Sequence, residues 1–139
     1  MDVNTKTLTG IQAFVGLTAV AGGAALAAAP DGHLLAADPA VLTNTPFADF
    51  RFPGILLATF VGVGGLFAAA LTWRSWRHAE AIGLVFVGGL LSFEVVEYLL
   101  IGWQPLQAFE AILALAMLAL ILAPRGTADK GRRSGAAHA

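Results

Sequence analysis

Cysteine is absent from this sequence and charge is scarce. Without cysteine there are no disulfides, thiolate metal sites or cysteine nucleophiles. Charged residues make up 12% of the chain, about half the usual share for a soluble domain. The formal net charge of −1 leaves no basic field that would speak for nucleic acid. Catalytic patterns are missing as well. No Ser-His-Asp arrangement is visible, and the histidines are scattered at His33, His78 and His138 without ligand spacing such as H-x-x-x-H. "GVGGL" lies inside an apolar run and lacks the Gly-Lys-Ser/Thr of a phosphate loop. The expectation is a protein that is not an enzyme, with no metal and no cofactor.

Apolar sequence fills the space. The chain has 139 residues, of which 58% are hydrophobic, and its mean hydropathy is +0.76. Four apolar runs stand out: Thr9 to Ala29, Gly54 to Trp73, Ala81 to Ile101 and Leu106 to Ala123. Each has about 18–21 residues, the length a helix needs to cross the hydrocarbon layer. Backbone polar groups in lipid must be satisfied within the segment, so the runs are expected to be helices. The predicted fold class is an all-α membrane protein, with four transmembrane helices in an antiparallel bundle over residues 1–126. An outer loop spans residues 30–53. A small, polar, basic tail, residues 127–139, is expected to be disordered.

Charge placement sets the topology. Lys6 precedes the first run, Arg74 and Arg77 separate the second from the third, and Arg125, Lys130, Arg132 and Arg133 follow the fourth. Seven of the eight basic residues thus fall on one side of four crossings, and Arg51 falls on the other. By the positive-inside rule both termini are cytoplasmic. Trp73 and Trp76 mark the inner interface, and Phe47, Phe50, Phe52 and Trp103 the outer one. The first run has a rival reading, because "ALAAAPDG" offers small residues that suit a signal-peptide cleavage site. Against it, the run is longer than a signal core and its flank carries both a Lys and an Asp.

Glycines recur inside the runs: Gly16, Gly22 and Gly23, then Gly62, Gly64 and Gly65, then Gly83, Gly88 and Gly89. They are expected to permit close helix contact, as are Ala111, Ala114, Ala119 and Ala123 in the fourth run. The outer loop holds Leu34, Leu35, Phe47, Phe50 and Phe52, too apolar for a free loop. It should lie on the bilayer surface or plug the outer mouth.

The stretch "TPFADFRFPGILL", Thr45 to Leu57, resembles a signature of small, uncharacterised bacterial membrane proteins. In these, Ser/Thr-Pro-Phe, an acidic and an aromatic residue, Pro-Gly and a leucine-rich run open the second helix. The likeness extends over most of the chain after Pro30. It implies a four-helix, multi-pass protein of the bacterial plasma membrane, and it implies no activity. The partners it leaves are the lipid bilayer and, for packing, further copies of the chain or a larger membrane complex.

Three carboxylates interrupt this apolar sequence. Glu94 and Glu97 lie three apart in the third run and share a helix face. Glu110 lies near the start of the fourth. The short "GWQP" turn makes these helices neighbours and places Glu97 and Glu110 at similar depth, with Glu94 one turn deeper. A charge at mid-bilayer costs roughly 2.5–3.5 kcal/mol on insertion scales, so the three should face one another. Arg51 is the one fixed cation on their side and is expected to pair with Glu97 or Glu110. Tyr98, Gln107, Gln104 and Ser92 are candidate hydrogen-bond donors. At least one glutamate is then left without a cation. It takes a proton, binds a cation, or meets a basic residue of another protein. Two functions follow: a non-enzymatic accessory or homo-oligomeric unit, and a proton- or cation-coupled carrier built on the polar cluster Glu94, Glu97, Glu110, Arg51, Tyr98 and Gln107.

Overall fold

A computed structural model describes residues 2–124. The expected disordered tail, with Arg125, Lys130, Arg132 and Arg133, lies outside the described residues. Four helices are long and apolar enough to cross a membrane: α1 Val3–Ala28, α2 Arg51–Trp73, α3 Ala79–Ile101 and α4 Pro105–Leu122. Two short 3₁₀ turns, His33–Leu35 and Pro39–Leu42, lie in the loop between α1 and α2. No strand occurs among the described residues.

All four helices begin ahead of their apolar runs, and at α1 and α4 capping chemistry sets the start. The Asp2 carboxylate accepts from Thr5 N at 2.8 Å and starts α1 at Val3. Within α1 the hydroxyls of Thr7, Thr9 and Thr18 donate to the carbonyls of Val3, Thr5 and Phe14, each at 2.8 Å. They bring no unsatisfied donor into the apolar run. Pro105 occupies the first turn of α4, where its missing N–H costs nothing. Gly102, at φ 75°, ends α3 in a conformation that favours glycine.

Inside α2, residues Leu57–Val63 form a π-helical stretch rather than plain α-helix. Such stretches are usually a single turn. This one runs where α2 lies against α1.

Each helix has two backbone neighbours. α1 packs along α2, α2 against α3, α3 against α4, and α4 back against α1. Among the described residues the backbones of α2 and α4 do not approach each other. The apolar core lies between the helices and includes Val15, Val61, Phe86, Val87, Leu90, Ala114 and Met117. Large apolar side chains such as Phe60, Val85, Leu99 and Ile112 cover the outside. That surface suits lipid, not water.

Glycine makes the α1–α2 contact. A Cβ added at Gly16 would lie 2.7 Å from Leu66 N and 2.9 Å from Gly62 O. One at Gly54 would lie 2.6 Å from Gly23 O, and one at Gly65 would lie 2.9 Å from Gly16 Cα. Side chains are excluded there because backbone meets backbone. The expectation of close glycine contact does not extend to all the glycines. Gly22 and Gly64 sit at ordinary contact distance, and around Gly88 and Gly89 nothing lies within 4 Å of an added Cβ. Those last two face outward on α3. In α4, Ala114 is fully buried but Ala119 is exposed.

The outer loop is partly folded in. Phe50 N donates to Pro30 O at 2.9 Å, which ties the two ends of the loop together. Leu42 and Phe50 are buried, so Phe50 is not an interfacial aromatic. The Pro39–Leu42 turn rests on α3. Leu34, Leu35 and Phe52 are exposed.

Candidate functional site

The turn between α3 and α4, residues 102–104, is short enough to force the two helices side by side. A capping box fixes its far end. Gln107 Oε1 accepts from Gln104 N at 3.1 Å, and the Gln104 side chain accepts from the Gln107 backbone. Gln107 Nε2 also donates to Gly102 O at 3.1 Å. This hinge sets the register that brings Glu110 opposite the Glu94–Glu97 face.

The three glutamates meet. Each offers one carboxylate oxygen, and these atoms lie within 4.8 Å of one another. Glu94 is the deepest, at 7% exposure. Both of its oxygens are buried and make no hydrogen bond. Glu97 and Glu110 are half-buried.

The expected neutralising partners are engaged elsewhere. Arg51 makes no ion pair with Glu97 or Glu110, which corrects the expectation drawn from charge counting. Its backbone N donates to Asp49 Oδ1 at 2.9 Å, and the residue is exposed. Packing order accounts for Glu110, which belongs to α4 while Arg51 opens α2 between α1 and α3; Glu97 is on the neighbouring α3, but Arg51 is exposed and not paired with it. No basic side chain among the described residues comes within salt-bridge distance of the three glutamates. His33 contacts the Asp31 carboxylate instead. That contact and the His33 backbone N–H, the larger influence, hold the Asp31 carboxyl below its ordinary value.

Most of the expected donors also fall short. The Ser92 hydroxyl donates to Gly88 O at 2.8 Å, the usual backbone choice for a serine within a helix. Gln104 serves the cap of α4; Gln107 serves the cap too, but its side chain also hydrogen-bonds Glu97, as expected. Tyr98 is 54% exposed and makes no hydrogen bond to the glutamates. With Trp103 and Leu91 it walls an open groove of about 350 Å³ on the flank of α3 and α4, floored by Glu94 and Gln107.

The electrostatics are severe. Two full charges at 4.8 Å repel by about 3.5 kcal/mol even at an effective dielectric constant near 20. Three carboxylates without a base therefore form a place where positive charge is strongly favoured.

One buried polar residue was not legible as a site. Gln12 of α1 is 0% exposed, and neither its Oε1 nor its Nε2 has a partner. Its amide lies under Gly83, 3.5 Å from where a Cβ there would stand. Gly83 precedes Glu94 by eleven residues of α3, about 16 Å along the axis. Buried Val87, Leu90 and Met117 fill the interval. Below Gln12, Asn4, Thr72 and Arg77 help line a cavity of about 590 Å³. The available signal was an amide in an otherwise apolar run. Comparisons with family models, curated proteins and solved structures give no match for this chain, so any functional reading rests on these residues.

Proposed function

We propose that this chain is a small, non-enzymatic plasma-membrane protein that exchanges positive charge, a proton or a cation, at Glu94, Glu97 and Glu110. Its four spans form an antiparallel bundle with both termini cytoplasmic. The basic residues on the Lys6, Arg74 and Arg77 side support that orientation. The cluster then opens outward, toward the loop that carries Asp31, Asp38 and Asp49. One observation carries the reading: Glu94 is buried among two other carboxylates with both oxygens unpartnered. Leaving such a group without compensation would cost several kcal/mol, and a purely structural bundle gains nothing from it. The test is flux. The purified chain is placed in vesicles with a trapped pH dye or calcium dye, and a membrane potential negative inside is imposed. Entry of protons or divalent cations is expected with wild type and lost in Glu94→Gln. Equal traces from wild type, Glu94→Gln and empty vesicles would sink the carrier reading.

A second reading, an accessory or homo-oligomeric unit, is supported by Gly88 and Gly89. They leave open space on the outer face of α3, where another helix can approach closely. Because the chain has no cysteine, Gly88→Cys gives a clean test. Disulfide-linked dimers in the membrane are expected if that face meets a second copy, and a monomer under oxidation would remove it.

A further inference from the structure

We infer that the three-glutamate cluster is a binding site for a hard divalent cation of calcium or manganese size. This rests on reading the cluster as a seat of positive charge, and it names the ion class.

Size comes first. Oxygens at most 4.8 Å apart have a common centre no more than 4.8/√3, about 2.8 Å, from each. Calcium takes oxygen ligands at about 2.3–2.6 Å, which that bound allows. Magnesium needs about 2.0–2.1 Å in near-ideal octahedral geometry and gives up its waters reluctantly, so three carboxylates carried on two helices suit calcium better. The donor set is all oxygen, which suits hard ions and disfavours soft ones. Three carboxylates offer six oxygens, and Glu97 and Glu110 retain enough exposure for water to complete the shell.

Charge comes second. No described base compensates the site. A monovalent ion would leave two uncompensated charges in a low-dielectric region, whereas a divalent ion leaves one, which a single proton cancels. The third observation is burial. Glu94 is 7% exposed, faces Glu110 in the cluster, and meets no donor through either oxygen. A carboxylate held for packing alone would be hydrogen-bonded or exposed.

The experiment uses the full chain in nanodiscs of zwitterionic lipid, which removes headgroup binding. Manganese is titrated and followed by electron paramagnetic resonance, with calcium and magnesium as competitors. One manganese per chain is expected, displaced by calcium at lower concentration than by magnesium. Glu94→Gln and Glu110→Gln should each weaken binding at least about tenfold, since even groups behind the ligands change affinity by 10–100-fold. Asp49→Asn in the exposed loop should leave binding within about twofold. If Glu94→Gln does not fold, calcium must still raise the unfolding temperature of wild type and lose that effect in Glu97→Gln. Binding that survives the glutamate substitutions, or magnesium competing as well as calcium, overturns the inference. Proton flux without manganese binding overturns it too and leaves the carrier reading standing. Manganese binding without flux supports the site and removes the carrier reading.

Discussion

The α1–α2 side and the α3–α4 side of this protein solve the same problem in opposite ways. On the first, Gly16, Gly23, Gly54, Gly62 and Gly65 let two backbones touch. On the second, the glycines Gly88 and Gly89 touch nothing, and the helices enclose three carboxylates and an open groove. In lipid, helix association depends on close packing because apolar burial gives no drive between helices. The first pair therefore holds the fold. The second tolerates polar groups that cost stability, as functional sites do.

The comparison breaks most severely at Gly23. Gly23→Leu would press a side chain into Ala58 and the Gly54 carbonyl. Neither is the tip of a flexible side chain. A loss of about 3 kcal/mol or more is expected, measured by unfolding in mixed micelles. Gly88→Leu on the other side should change stability by less than about 0.5 kcal/mol. Similar losses from both would erase the distinction.

Glu94→Gln should sharpen it from the other side. Removing one of three crowded acids is expected to stabilise the protein by about 1–2 kcal/mol while abolishing flux. A destabilised Glu94→Gln would mean that the carboxylate is a structural partner.

Gln12→Leu follows, with a gain of about 1 kcal/mol, because it removes a buried amide that has no partner. If that variant also stops flux, the inner end of α1 belongs to the same path as the glutamates.

Arg51→Ala has the smallest expected effect, within about 0.5 kcal/mol, since the guanidinium forms no bridge to the cluster. A loss near 3 kcal/mol would restore the ion pair that charge counting suggested.

The four helices were legible in the sequence because apolar runs of spanning length have few alternatives. The meeting of Glu94, Glu97 and Glu110 was legible too: the i, i+3 spacing and a three-residue turn leave little freedom. The fate of Arg51 was not. Counting charges on one side of a membrane gives the available partners but not the order of helices around the ring, and that order sends Arg51 away from Glu110. Two of the hydrogen-bond donors went elsewhere for a local reason: Ser92 and Gln104 each had a backbone group within a turn to satisfy, and such nearby partners win over distant ones. Gln107 serves its cap and still reaches Glu97. Gln12 was not legible as a site, because an amide gives no charge signal. The helix starts were misplaced because Asp2 and Gln104 act as caps regardless of hydropathy.

The π-helical stretch Leu57–Val63 makes α2 sensitive to the counting of residues. Gly54 precedes the stretch, Gly65 follows it, and both must point at α1. An α-helix turns about 100° per residue, so the wider turns between them set the angle at which the two glycines align. Removing one residue between Leu57 and Val63 would leave composition, length and hydropathy almost unchanged. The remaining residues can then close up as α-helix, because six α residues sweep about the angle that seven take in the wider turns, so Gly65 keeps its face toward α1. One added residue has no such outlet and would swing Gly65 and everything after it about 100° around the axis. Within this protein, a one-codon deletion in that stretch should therefore be tolerated far better than a one-codon insertion beside it.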